Sequence, residues 1–121
     1  MSETTPARVE KNLMDLYFES DRLTQEIKKA DSAWVEKDHL AKVAAAQSRL
    51  EIKARAIELG VKLTVQEIED QSFIRVRDQL LAAATAESEL RVIRAQIRSN
   101  ENKVGIMRSV GTSVRSSIEL S

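Results

Sequence analysis

The chain has 121 residues with 19 Lys+Arg against 19 Asp+Glu, one His, no Cys, one Pro and three Gly, which fits one modest domain and argues against a wholly basic nucleic-acid coat. A content of 31% charged and 42% hydrophobic residues is too balanced for disorder, and without Cys and with one His no disulfide, thiolate site or His cluster can form, so neither metal nor other cofactor is expected. No apolar run approaches the roughly 18 residues of a membrane span, and Met1–Thr5 lack the basic start and apolar stretch of a signal peptide, so a cytoplasmic protein without membrane contact is expected.

Pro6, Gly60, Gly105 and Gly111 are the only strong breakers, and helix-favouring residues dominate between them, so the fold class is all-α. Thr5 reads as an N-cap and Pro6 as the first residue of a helix over about 6–30. Val9, Leu13, Leu16, Leu23, Ile27, Ala30 and Trp34 alternate in steps of four and three, with Ser20 in the one gap, which is a heptad seam. Asp31 and Ser32 are cap-type residues and predict a kink or restart between Ala30 and Ala33. A second helix, about 33–59, carries the seam Leu40, Val43, Gln47, Leu50, Ala54, Ile57, Val61, and Gly60 supplies a residue that can close it in the left-handed conformation.

Thr64 and Glu67 form a capping box that opens a third helix over about 65–100, although the alternation Val61, Leu63, Val65 also fits a short strand. Phe73, Val76, Leu80, Ala83 and Leu90 mark the third helix's buried side. At ~1.5 Å per residue such a helix is ~54 Å long, longer than the ~35 Å diameter of a compact chain of this size. Either it bends around Ala84–Ala86, or the fold is an elongated, coiled-coil-like hairpin of three to four helices completed by copies of itself. Narrow seams with few large residues favour the homo-oligomer. Beyond Leu90 the seam resumes at Ile93, Ile97, Val104, Met107, Val114 and Ile118, in an amphipathic but weakly helical segment over 101–120. The whole reads as a single helical domain, 1–121.

Charge is unevenly placed. Residues 1–70 hold 11 basic and 14 acidic residues, net −3, and residues 71–121 hold 8 and 5, net +3. Arg91, Arg94, Arg98, Arg108 and Arg115 share one three-four line, a single stripe if this segment is helical, that either binds phosphates or pairs with the acidic half. Lys42, Arg49 and Lys53 lie near one face of the second helix, beside Arg55, interleaved with acids that also allow an ordinary salt-bridged surface.

Ala46-Gln47, then Lys53-Ala54-Arg55 near the end of a long helix, then Gly60, together with Trp34 and His39 upstream, resemble the central segment of the UvsY family of phage recombination mediators over about residues 34–60. Ile97-Arg98-Ser99 with Lys103 and Arg108 resembles the family's last helix over about 93–110. The resemblance implies single-stranded DNA binding by Lys53 and Arg55, ring-like homo-oligomerisation, and a recombinase, with a single-strand-binding protein, as partners. The function expected on these grounds is a single-stranded DNA-binding mediator that helps load a phage-type recombinase. The alternative is a helical assembly or chaperone-like module that touches no nucleic acid, and a small regulator of a host system is a third reading. Tyr17, Phe18, Trp34 and Phe73 are expected mainly in packing, so stacking should add little. His39 beside Asp38 lacks a nucleophile or third partner, Glu67, Glu69 and Asp70 fit a helix start, and Gly105 and Gly111 lack a phosphate-loop context, so no enzyme is expected.

Overall fold

The computed structural model describes residues 5–120 as three helices, α1 (Pro6–Leu59), α2 (Val65–Arg75) and α3 (Arg77–Leu120), with no strand among the described residues. The chain is all-α, and the short strand considered over 61–65 is absent. Thr5 caps α1 as expected: its Oγ1 accepts from the Arg8 N–H at 3.2 Å and its carbonyl from the Val9 N–H at 3.0 Å. The interruption expected at Asp31–Ser32 does not occur. Both side chains are exposed, Asp and Ser cost a helix only tenths of a kcal/mol (~0.5) against Ala, and Ala30, Ala33 and Trp34 stay half-buried around them.

α1 ends where Gly60 adopts φ +65°. The Val61 N–H reaches the Ala56 carbonyl at 2.9 Å and the Gly60 N–H that of Ile57 at 3.2 Å, the Schellman pattern that consumes carbonyls left over at a helix end. Thr64, at φ −73° and ψ 161°, accepts from the Glu67 N–H at 3.1 Å. The return half of the box differs from expectation, because the Glu67 carboxylate accepts from the Thr64 hydroxyl, at 3.1 Å, rather than from its backbone N–H.

The single helix expected over 65–100 is interrupted at Val76, and helix then continues through the segment expected to be weakly helical, to Leu120. Val76 leaves helical geometry (φ −106°, ψ 13°) yet keeps its N–H on the Ser72 carbonyl at 3.0 Å. Its branched side chain is buried, so packing holds the departure in place, while Ala84–Ala86 stay helical as their propensity demands.

The helices form two compact units. One comprises residues up to 29 and from 91, the other residues 30–90. In the first, the start of α1 runs antiparallel to the end of α3, with Leu16 and Ser20 opposite Asn100 and Val9 opposite Gly111. Val9, Leu23, Asn100, Val104 and Gly111 are buried there, and Leu13, Leu16, Ile27, Ile93, Ile97, Met107 and Val114 are half-buried, so the expected seam is present. Ile118, expected on it, is exposed, because the described part of α1 begins opposite residues 111–115 and leaves the last turns of α3 uncovered.

In the second unit α1 packs on α2 and the start of α3 through a different seam from the one expected. Ala41, Ser48 and Ile52 are buried, whereas Leu40, Val43, Gln47, Leu50, Ala54, Ile57 and Val61 are exposed. On the facing side Ile68, Ser72, Val76, Ala83, Ala86 and Leu90 are buried and Phe73 is exposed. Small residues on both sides explain the choice, since they let the backbones approach: the Ser72 hydroxyl donates to the Ala45 carbonyl at 3.2 Å. Among the described residues no group of three or more His, Cys, Asp or Glu is placed to hold a metal ion. Among the described residues no helix is long and apolar enough to cross a membrane.

Candidate nucleic-acid interface

The arginine line lies on α3 in the first unit. At about 100° per residue it sits roughly 100° around the helix from the buried seam, so its stems border the contact with α1. Arg94, Arg98, Arg108 and Arg115 are exposed and form no ion pair among the described residues. The pairing with acids of the N-terminal half that was open as an alternative is therefore not made by these four. Two acids of α1 pair within their own helix: Arg22 bonds Glu19 through both its Nε and Nη2 and reaches Glu26 at 2.5 Å. The bond from Arg22, reinforced by its charge and that of Lys103, holds the Glu19 carboxyl below its ordinary range.

Arg108 turns instead to an aromatic residue. Its Nη2 and Nε donate to the Tyr17 hydroxyl at 2.9 and 3.2 Å, and the guanidinium carbon lies 5.7 Å from the ring centroid. Arg108 and Arg115 border a groove of about 430 Å³ floored by Val9, Leu13 and Gly111, with Glu10 on its rim. Next to it, sharing Glu10 and Leu13, is a shallow depression of about 370 Å³ lined by Met14, Tyr17 and Phe18. Tyr17 is 43% exposed and Phe18 65% exposed, so the expectation that both serve packing is corrected, as it is for Phe73; Trp34 is half-buried. Sequence reasoning missed these two aromatics as surface groups, although their positions, one and two residues past Leu16, put them off the seam.

The basic residues of the other unit are arranged differently. Lys42 pairs with Asp38 at 2.8 Å, and Arg49 faces Glu69 at 3.7 Å. Lys53 and Arg55 are exposed, but residues two apart on a helix point about 160° away from each other, so α1 does not bring them to one patch. By unit, residues up to 29 and from 91 hold 11 basic and 8 acidic residues, net +3, and residues 30–90 hold 8 and 11, net −3. The basic surplus thus coincides with the unit that carries the arginine line. Compared with protein-family models, curated proteins and solved structures, the chain matches none.

Proposed function

We propose that this protein binds single-stranded DNA along the arginine edge of the first unit and acts as a recombination mediator. What supports the reading most is one arrangement: Arg94, Arg98, Arg108 and Arg115 line one edge and form no ion pair among the described residues, Arg108 donates to the hydroxyl of the exposed Tyr17, and the exposed Phe18 lines a shallow depression with Tyr17. Guanidinium groups on phosphates release counterions, and exposed rings offer a surface for unpaired bases, which a duplex does not present. Stacking on any base is sequence-tolerant, so weak sequence preference follows. The recombinase-loading role rests on the resemblance over residues 34–60. On this reading the protein holds a strand extended while a recombinase displaces other proteins from it.

Titration of a labelled single-stranded oligonucleotide at two salt concentrations tests the proposal. With four phosphate contacts at about −0.7 each, affinity falls roughly fiftyfold between about 50 and 200 mM salt. Absence of binding at low salt, or binding unchanged by joint Arg98→Ala and Arg115→Ala substitution, sinks it. The alternative reading, a protein-interaction module, has its own support in the bare apolar face of α1 in the second unit.

A further inference from the structure

Between residues 40 and 57, α1 has two apolar faces. Ala41, Ala45, Ser48 and Ile52 face α2 and α3, while Leu40, Val43, Gln47, Leu50, Ala54 and Ile57 lie roughly 160° around the helix and are exposed. A helix on the surface of a monomer ordinarily carries polar residues there. Here the outer face repeats in the three-four steps by which one helix seats its side chains between those of another. Leu50 is 67% and Ile57 79% exposed, so none of the described chain covers them.

We propose that this face docks a second copy of the chain, with the two α1 segments parallel and in register over residues 40–57. Charge selects both the occupant and the direction. Lys53 flanks the face on one side and Glu51 and Glu58 on the other, and neither Lys53 nor Glu58 forms an ion pair among the described residues. In a parallel pair Lys53 of each copy meets Glu58 of the other, twice by symmetry. An antiparallel pair with Leu40 opposite Ile57 would set Lys53 opposite Ala44 and Glu58 opposite His39, and would forgo both ion pairs. Gln47, the one polar residue of the repeat, then faces its own twin, amide to amide, an arrangement that selects register.

Size agrees. Leu40, Val43, Leu50 and Ile57 with the flanking stems offer on the order of 500 Å² per copy, about 1,000 Å² for the pair, where specific interfaces begin. The helix is already ordered by its packing on α2 and α3, so association need not fold it. The arginine edge belongs to the other unit, and the two proposals stand or fall separately: a wild-type chain that binds DNA as a monomer removes only this one.

Sedimentation of the full-length chain across micromolar concentrations should show a dimer. Leu50→Asp should give a monomer with unchanged far-ultraviolet circular dichroism, since the residue is mostly exposed on the described chain. Lys53→Glu should weaken association roughly tenfold, and adding Glu58→Lys should restore it. The protein has no cysteine, so Leu40→Cys introduces its sole thiol, which should oxidise to a linked dimer. In an antiparallel pair Leu40 would face Ile57, about 25 Å along the helix from its twin. A wild-type monomer throughout, a dimer indifferent to Leu50→Asp, or cross-linking only between a Leu40→Cys copy and an Ile57→Cys copy overturns the proposal.

Discussion

Asn100 is 5% exposed between α1 and α3, where its side-chain amide donates to the Ser20 hydroxyl at 3.0 Å and to the Leu16 carbonyl at 3.1 Å. Both acceptors sit on the seam of α1, and Ser20 fills the gap between Leu16 and Leu23. An otherwise apolar contact between two helices slides by a turn at little cost, and a buried amide with a partner in one register only opposes that slip.

Asn100→Ala should therefore destabilise the protein by about 1–3 kcal/mol, through the lost bonds and the stranded Ser20 hydroxyl. Asn100→Asp should be worse at neutral pH, because a buried carboxylate has no proton to give the Leu16 carbonyl, and should recover partly as the pH falls and the acid protonates. Urea titrations at neutral and acidic pH measure both. A neutral Asn100→Ala would show that the amide does not hold the register.

Gly105 and Gly111 make a paired test of α3. An added Cβ at Gly105 meets nothing within 4 Å, whereas at Gly111 it comes 3.0 Å from Cγ1 of Val9, a buried side chain. Gly105→Ala should stabilise by ~0.5–1 kcal/mol, raising Tm by a few degrees. Gly111→Ala should forfeit that gain to the clash with Val9 and leave Tm unchanged or lower. Equal gains at both positions would show that the end of α3 does not pack on α1 there.

Ser48 is buried and its hydroxyl has no hydrogen-bond partner among the described residues. An unmet hydroxyl costs about 1–3 kcal/mol, while the methyl of alanine fits the same space and raises helix propensity. Ser48→Ala should thus be neutral or stabilising by about 1 kcal/mol in a thermal melt. A clear loss would mean the hydroxyl has a partner.

Ser48 also shows why the second seam was hidden in the sequence while the first was plain. From Val9 to Trp34 the inward positions are mostly large and apolar, so the three-four rhythm is visible in residue types alone. From Ala41 onward they are Ala41, Ala45 and Ser48, with Ile52 as a single large apolar side chain, while Leu40, Val43, Leu50 and Ile57 on the outer face carry a much stronger hydrophobic signal. Close backbone approach, not apolar content, chose the buried face, and only the partner helix, with Ser72, Ala83 and Ala86, reveals that. The ends of α1 and the start of α2 were legible because Thr5, Pro6, Gly60 and Thr64 act locally. The interruption at Val76 was not, since no breaker marks it and tertiary packing holds it. The arginine line was legible from its spacing and the exposure of Tyr17 and Phe18 from their offset from Leu16, but the contact of Arg108 with Tyr17 needed the position of α3.

The Glu19–Arg22–Glu26 network sets a pH signature. Because Arg22 holds the Glu19 carboxyl below its ordinary value of 4.5, the native state binds fewer protons than the unfolded one as the pH approaches that value. The stabilisation is present above about pH 4.5 and is lost as the pH falls through the lower native value. Glu19→Gln should lower Tm slightly at neutral pH and low salt, less at high salt, and not at all in strong acid. A difference that persists in acid would show that Glu19 acts through packing.

Tyr17 and Phe18 separate stacking from charge at the proposed DNA edge. Stacking is worth about 1–3 kcal/mol per base and is insensitive to salt, whereas each phosphate contact adds about 0.7 to the slope of log affinity against log salt. Phe18→Ala should weaken single-strand binding roughly tenfold and leave that slope unchanged, because an exposed ring contributes no charge. Tyr17→Phe keeps the ring and removes the hydroxyl that accepts from Arg108, so binding should stay within about twofold. Arg98→Ala should flatten the slope by about 0.7 with a smaller loss at high salt. Fluorescence anisotropy over a salt series reads all three. If Phe18→Ala is silent while Arg98→Ala acts, the strand follows the arginines without touching the aromatic face; if both are silent, the edge is not the DNA site.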